Sequence, residues 1–266
     1  LTQIFRLFTQ SDVDVSSGYV DRYMKIFKKP EARMMMGAFN NMESIHQHAY
    51  SLLLDTVGMP EVEYKAFSEY EAMADKHEYV DSVRVTKGDK TSIAKALAIY
   101  SAFTEGLQLF SSFIILLNFP RFGKMKGMGQ IITYSIRDES LHVEAMTKLF
   151  REFIQENIDI WTDDFKGEIY QACREMVALE DRFLDLVFEQ GDIVGLTKKE
   201  MQQYIRYIAD RRLLQLGLKP NYKVKDNPLN WLDDVLGVEH QNFFEGRATT
   251  YMKAGLRGNV EKVKFA

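Results

Sequence analysis

Only five prolines occur in 266 residues, and Pro30, Pro60 and Pro120 stand between long stretches whose apolar side chains recur every three or four positions. Proline inside a helix removes a donor and clashes with the preceding turn, so prolines held at such boundaries predict helices of unusual length. The periodicity puts them at about 1–27, 31–57, 61–80, 91–118, 127–154, 164–191 and 197–216. Gly88-Asp89-Lys90-Thr91-Ser92 reads as a turn and cap, Gly191-Asp192 as a helix stop, and Thr197-Lys198-Lys199-Glu200 as a capping box. Strand alternation is scarce, Val80 to Val85 being the one weak candidate. From about 217 the pattern loosens around Pro220 and Pro228 into a long loop expected to pack back through Trp231 and Leu232. With no linker, low-complexity tract or exact repeat, residues 1–266 are expected to form a single all-α domain.

Composition narrows the function classes. The 34 basic and 38 acidic side chains leave a net charge of −4, which calls for neither nucleic acid nor an anionic membrane as partner. The single cysteine, Cys173, cannot staple a fold or build a thiolate cluster, and it fits a reducing, cytoplasmic compartment. No run approaches the roughly 20 apolar residues of a membrane helix, the longest candidate being Phe113 to Phe119. The chain opens on Leu1 inside a helical pattern, so no targeting segment is visible and truncation at both ends is expected.

Acidic residues occupy positions that the periodicity assigns to the interior. In the first helix Leu1, Phe5, Phe8, Val15 and Tyr19 form an apolar stripe with one member missing, and Asp12 fills it. Asp14, about 200° further round the axis among polar neighbours, is its solvated rival. In the second helix Glu43, His46 and Tyr50 follow at i, i+3 and i+7 between Met36, Phe39, Leu53 and Leu54, so they point one way. Glu105 stands among Ala98, Ala102, Leu109, Phe113 and Leu116, and Glu139 and His142 stand among Ile132, Met146 and Leu149.

A buried, unpaired carboxylate costs several kcal/mol or takes up a proton. Two divalent cations account for four at once, their charge matching that of Asp12, Glu43, Glu105 and Glu139 while His46 and His142 add one nitrogen to each metal. Glu-x-x-His occurs twice, at Glu43-Ser44-Ile45-His46 and Glu139-Ser140-Leu141-His142, a spacing that stacks both side chains on one helix face. One imidazole per metal among carboxylates suits iron or manganese better than zinc or calcium. A single Glu-x-x-His is ordinary surface chemistry; two on apolar stripes, with two more interior acids, are not. Glu144 and His48 lie off the stripes and read as solvated, and His77 and His240 have no partner spacing. Met34-Met35-Met36 and the stretch from Phe110 to Phe119 read as core filling. Gly123 to Gly129 reads as a basic connector, because no strand precedes it to make a phosphate loop.

Glu43 with Ser44-Ile45-His46-Gln47-His48-Ala49-Tyr50, and Arg137-Asp138-Glu139-Ser140-Leu141-His142, resemble the two metal motifs of class I ribonucleotide reductase small subunits. The intervals of 31 residues from Asp12 to Glu43 and 34 from Glu105 to Glu139 fit that family, and the likeness runs from residue 1 to about 235. It implies a ferritin-like helical bundle with additional long helices, holding two iron ions per chain, with dimanganese or mixed manganese and iron as variants. It further implies that the site reacts with dioxygen or a reduced oxygen species and leaves a radical on Tyr50, in a pocket walled by Leu109 and Phe113. Asp138 would join His46 to a radical-transfer chain, a homodimer would form, and a separate large subunit would bind the ribonucleotide. Apart from the resemblance, Tyr50 also reads as a half-buried core tyrosine and Arg137 as a plain salt-bridge partner.

Two departures from the family pattern stand out: no tryptophan of the transfer path precedes Asp12, and no tyrosine with an acidic tail follows Tyr251. The rival functions are a related two-metal oxidase or oxygenase acting on its own apolar substrate, which a deep apolar channel would favour, and an iron-storage or purely structural bundle, where Tyr50 has no purpose.

Overall fold

A computed structural model of the chain describes Ile4, residues 18–58 and residues 70–233, and among these every extended element is helical. A π-helical turn, Tyr19–Tyr23, continues into Met24–Ile26 to make α1. There follow α2 (Pro30–Val57), α3 (Glu71–Ser82), α4 (Lys90–Arg121), α5 (Lys126–Glu156), α6 (Asp163–Val187) and α7 (Lys198–Gln215). The second half of the helix expected at 61–80 is α3, and residues 59–69 lie outside the described residues.

The helix ends follow from local chemistry. Pro30 occupies the first turn of α2, where a missing donor costs nothing, and Gly58 ends it at φ 75, a backbone conformation that favours glycine. Asp89 accepts from the Thr91 amide to open α4, and Thr197 and Glu200 form the expected capping box of α7. Thr162, which the sequence reading passed over, caps α6 through the Phe165 amide. Pro120 does not stop α4, which runs one residue further; in the closing turn a proline forfeits a single bond. Val80 to Val85 forms no strand, because Val80 is spent as a core residue of α3 and the helix continues to Ser82. The 3₁₀ turn Ile158–Ile160 joins α5 to α6.

The middle of α4, Ala98–Gln108, is π-helical, and every residue of it is buried. Its wider turns leave carbonyls that side chains take up: Ser101 and Thr104 donate back to Leu97 O and Ile99 O, and Arg212 Nε of α7 donates to Gly106 O at 2.7 Å. By length and composition α4 could cross a membrane, but 94% of its most apolar window is buried within the protein, so it is the core helix. It packs against α3, α5, α6 and α7, while α2 lies on α1 and α5. Leu1–Leu229 and Asn230–Ala266 form two compact units, the second described only at residues 230–233.

Candidate metal centre

Three helices bring five of the sequence-predicted residues together: Glu43 and His46 from α2, Glu105 from α4, and Glu139 and His142 from α5, all buried. The i, i+3 pairs make this possible, each laying an acid and an imidazole one turn apart on the inward face of a long helix. Glu105 comes from the π-helical stretch. Asp12 and its rival Asp14 lie outside the described residues. Glu144 and His48 are exposed.

The two histidines present Nδ1 to the acids and keep Nε2 for other partners. His46 Nδ1 is 3.5 Å from Glu43 Oε2 and 3.4 Å from Glu139 Oε1; His142 Nδ1 is 3.1 Å from Glu43 Oε1 and 3.5 Å from Glu139 Oε2. Each of these two carboxylates thus sets one oxygen beside each imidazole. On the far sides, His46 Nε2 meets Asp138 Oδ2 at 3.3 Å and His142 Nε2 meets the Met42 sulfur at 3.3 Å. Asp138 is partly buried and reaches Arg137 Nη2 at 3.3 Å, with Arg137 itself mostly exposed.

The imidazoles are near the acids but off the line along which an N–H would donate. Both oxygens of Glu43, both of Glu139, Oε2 of Glu105 and Nδ1 of His142 are buried with no hydrogen-bond partner among the described residues. Orphaned polar atoms are rare in interiors, and each costs about 1–3 kcal/mol, more when charged. Five carboxylate oxygens and one imidazole nitrogen converging from three helices are the donor set that a cation would take. Glu43, Glu139 and His142 alone can place one ligand atom each within 4.8 Å of one another.

The protein by itself balances this charge with protons. Burial depresses both imidazoles, but Glu139 and Glu43 outweigh it and hold His46 up at about 11 and His142 at about 10. Burial pushes Glu105 well above the usual carboxylate range, whereas for Glu139 the two imidazoles overcome burial and bring it below. Metal binding would therefore have to expel protons from the histidines.

Tyr50 sits beside this cluster, 2% exposed, with its ring 6.4 Å from that of His46 and its hydroxyl donating to Ser135 Oγ at 2.6 Å. Leu109 and Phe113, the expected pocket residues, are buried on α4. Three neighbours escaped the sequence reading as functional residues. Tyr19 donates to Glu105 Oε1, Ser135 accepts from Tyr50, and Met42 contacts His142. Signals existed for the first two: Tyr19 lies seven residues from Asp12 on the same stripe, and Ser135 lies four before Glu139. Met42, next to Glu43 but a hundred degrees round the helix, carried none.

A family model described as "Ribonucleotide reductase, small chain" matches residues 1–228. The probable ribonucleoside-diphosphate reductase small subunit 376L of Invertebrate iridescent virus 6 is 42% identical, across 99% of this chain and 83% of its own length. The ribonucleoside-diphosphate reductase subunit beta of Chlamydia pneumoniae is 30% identical, across 93% of this chain and 75% of its own. Among solved structures, the ribonucleotide reductase R2 subunit from Clostridium botulinum superposes with a TM-score of 0.81 at 25% identity, covering 88% of this chain and 75% of that one.

Proposed function

The chain belongs to the ribonucleotide reductase small-chain family, an oxidoreductase family, and on that premise we propose that it holds two metal ions and stores a tyrosyl radical for a separate, ribonucleotide-binding large subunit. The observation that supports this reading is the set of buried carboxylate oxygens, without hydrogen bonds among the described residues, that converge between two Nδ1 atoms. Glu43, His46, Glu105, Glu139 and His142 would hold the ions, with Asp12 completing the set. Bound iron or manganese supplies, with dioxygen or a reduced oxygen species, the oxidising power to remove an electron from a phenol.

The remaining work falls to the chain's own side chains. Tyr50 is the phenol that would give up an electron and its hydroxyl proton, both taken up by the oxygen species as it is reduced toward water, while Ser135 accepts the hydrogen bond and sets the direction of the O–H. Burial to 2% exposure keeps water from the ring, which a long-lived radical requires. His46 and Asp138 lead from the centre toward Arg137 at the surface, the direction in which a partner could be reached. We assign the protein to the cytoplasm, in keeping with the buried, unpaired thiol of Cys173.

The test is to load the intact protein with Fe(II) without oxygen, admit oxygen, and record metal content and electron paramagnetic resonance. About two ions per chain and a radical signal are expected, with Tyr50→Phe losing the signal and keeping the metal. No radical in the wild type under either iron or manganese loading would refute the radical assignment.

A further inference from the structure

Tyr19 belongs to none of the predicted ligand motifs, yet it touches two of the residues assigned to the centre. Its hydroxyl donates to Glu105 Oε1 at 2.6 Å, and its ring stands edge-on to the imidazole of His142, 6.0 Å between centroids at 78°. Phe39 of α2 meets the same imidazole at 4.2 Å and the Tyr19 ring at 5.8 Å. A buried tyrosine needs an acceptor for its hydroxyl, and helix carbonyls can serve. Tyr23 and Tyr100 use them, donating to Ala96 O and Val80 O. Tyr19, 2% exposed, instead directs its proton at a carboxylate of the centre.

That choice has a geometric consequence for Glu105. Its Oε1 is engaged by the phenol, while its Oε2 is buried with no partner among the described residues. The π-helical backbone around Glu105 lacks the usual i, i+4 ladder, so a second restraint on its side chain matters more here than on a regular helix.

We infer that Tyr19 is a positioning residue of the metal centre: its hydroxyl ties down Glu105 Oε1 so that Oε2 is the oxygen offered to a metal ion, while its ring buttresses His142. The inference rests on the two-metal reading above. A hydrogen bond to a charged acceptor is about twice as strong as a neutral one, and partners of metal-binding side chains contribute roughly 10–100-fold to metal affinity. Tyr19→Phe keeps the ring against Phe39 and His142 and removes only the hydroxyl; Tyr19→Leu removes both.

The experiment titrates Mn(II) alone, and Fe(II) alone under nitrogen, into metal-free wild type, Tyr19→Phe and Tyr19→Leu. Apparent Kd is read by chelator competition and the electron paramagnetic resonance of bound Mn(II) is recorded, with thermal melting before loading as the control for folding. Wild type should take up about two ions. Tyr19→Phe should still melt in one cooperative transition, at a temperature lowered only by the lost hydrogen bond, bind at least one ion about 10–100-fold more weakly, and change the spectrum of the bound pair. Affinity and spectrum unchanged in Tyr19→Phe, whether or not Tyr19→Leu weakens binding, would leave the centre standing and overturn the positioning role. Failure of wild type to bind either ion would remove the centre and this inference together.

Discussion

Glu180 of α6 shows what an interior carboxylate looks like when the protein supplies its own cation. It is fully buried, with the ammonium of Lys76 from α3 against one oxygen and the hydroxyl of Ser111 from α4 on the other. Lys76 also lies 4.3 Å from the centroid of the Phe183 ring. Burial raises Glu180 and lowers Lys76, and each opposes the other's shift. Lys76→Met would leave an acid in the interior with one hydroxyl for company, and it should cost about 3–5 kcal/mol in urea unfolding. Lys76→Met with Glu180→Gln should recover most of that; a single variant as stable as wild type would mean that Glu180 does not depend on Lys76. Among the described residues Glu43 and Glu139 have no ammonium beside them; their neighbours are the imidazoles of His46 and His142, side chains that can also bind a metal. From sequence, the apolar stripes and the paired Glu-x-x-His spacings expose Glu43, Glu105 and Glu139. Glu180 also stands on an apolar stripe, with Met176, Val177, Phe183 and Leu184 three or four residues away, but no Glu-x-x-His spacing singles it out. Asp210, which accepts from the Tyr222 and Val224 amides, is missed for the same reason: whether an inward acid meets an ammonium, a loop amide or a metal depends on another segment, which a one-dimensional pattern does not contain.

At the scale of the element, α4 is where local rules and outcome part. A π-helix and an α-helix need the same apolar residues, and along Ala98–Gln108 the burial is complete on every side, so no periodicity distinguishes them. The lock on this segment comes from elsewhere in the chain. Arg212 donates Nε to Gly106 O and lies 4.8 Å from the centroid of the Phe110 ring, with burial pulling its pKa down to about 10. A Cβ on Gly106 would come within 2.6 Å of Arg212 Nε and 3.2 Å of Ser101 O, so the close approach requires glycine although its φ does not. Alanine gains up to about 1 kcal/mol of helix propensity over glycine, and overpacking a buried contact costs about 1–3 kcal/mol. Gly106→Ala should therefore lose stability in urea unfolding and, because Glu105 is adjacent, bind less metal after iron loading. Stability and metal content at or above wild type would show that the guanidinium can step aside freely. Helix caps, by contrast, were legible to within a residue or two at Pro30, Asp89 and Thr197, because a cap is settled by side chains next to it in sequence.

For the whole molecule, the two faces of α2 have opposite tasks. Glu43, His46 and Tyr50 face inward, while Met34, Ile45 and Leu52 are exposed at 74%, 58% and 53%. Spacings of 11 and 7 residues return to within about 20° of the same direction, so these three form one stripe turned away from the metal-facing side. On α5, which packs against α2, Tyr134 and Leu141 are exposed seven residues apart. Scattered exposed apolar side chains are normal, but aligned ones on adjoining helices mark a contact surface. We propose that this surface is the self-complementary interface of a homodimer, in which each α2 stripe meets the other copy. A glutamate there would be buried without a cation, so Ile45→Glu with Leu52→Glu should convert the particle seen by light scattering from twice the chain mass to the chain mass. Iron content should stay near that of wild type, because both positions lie 100° or more round the helix from Glu43 and His46. A wild type that is monomeric at tens of micromolar, or a double variant that stays dimeric, would place the interface elsewhere; loss of iron in a monomeric variant would instead show that the centre depends on the second copy.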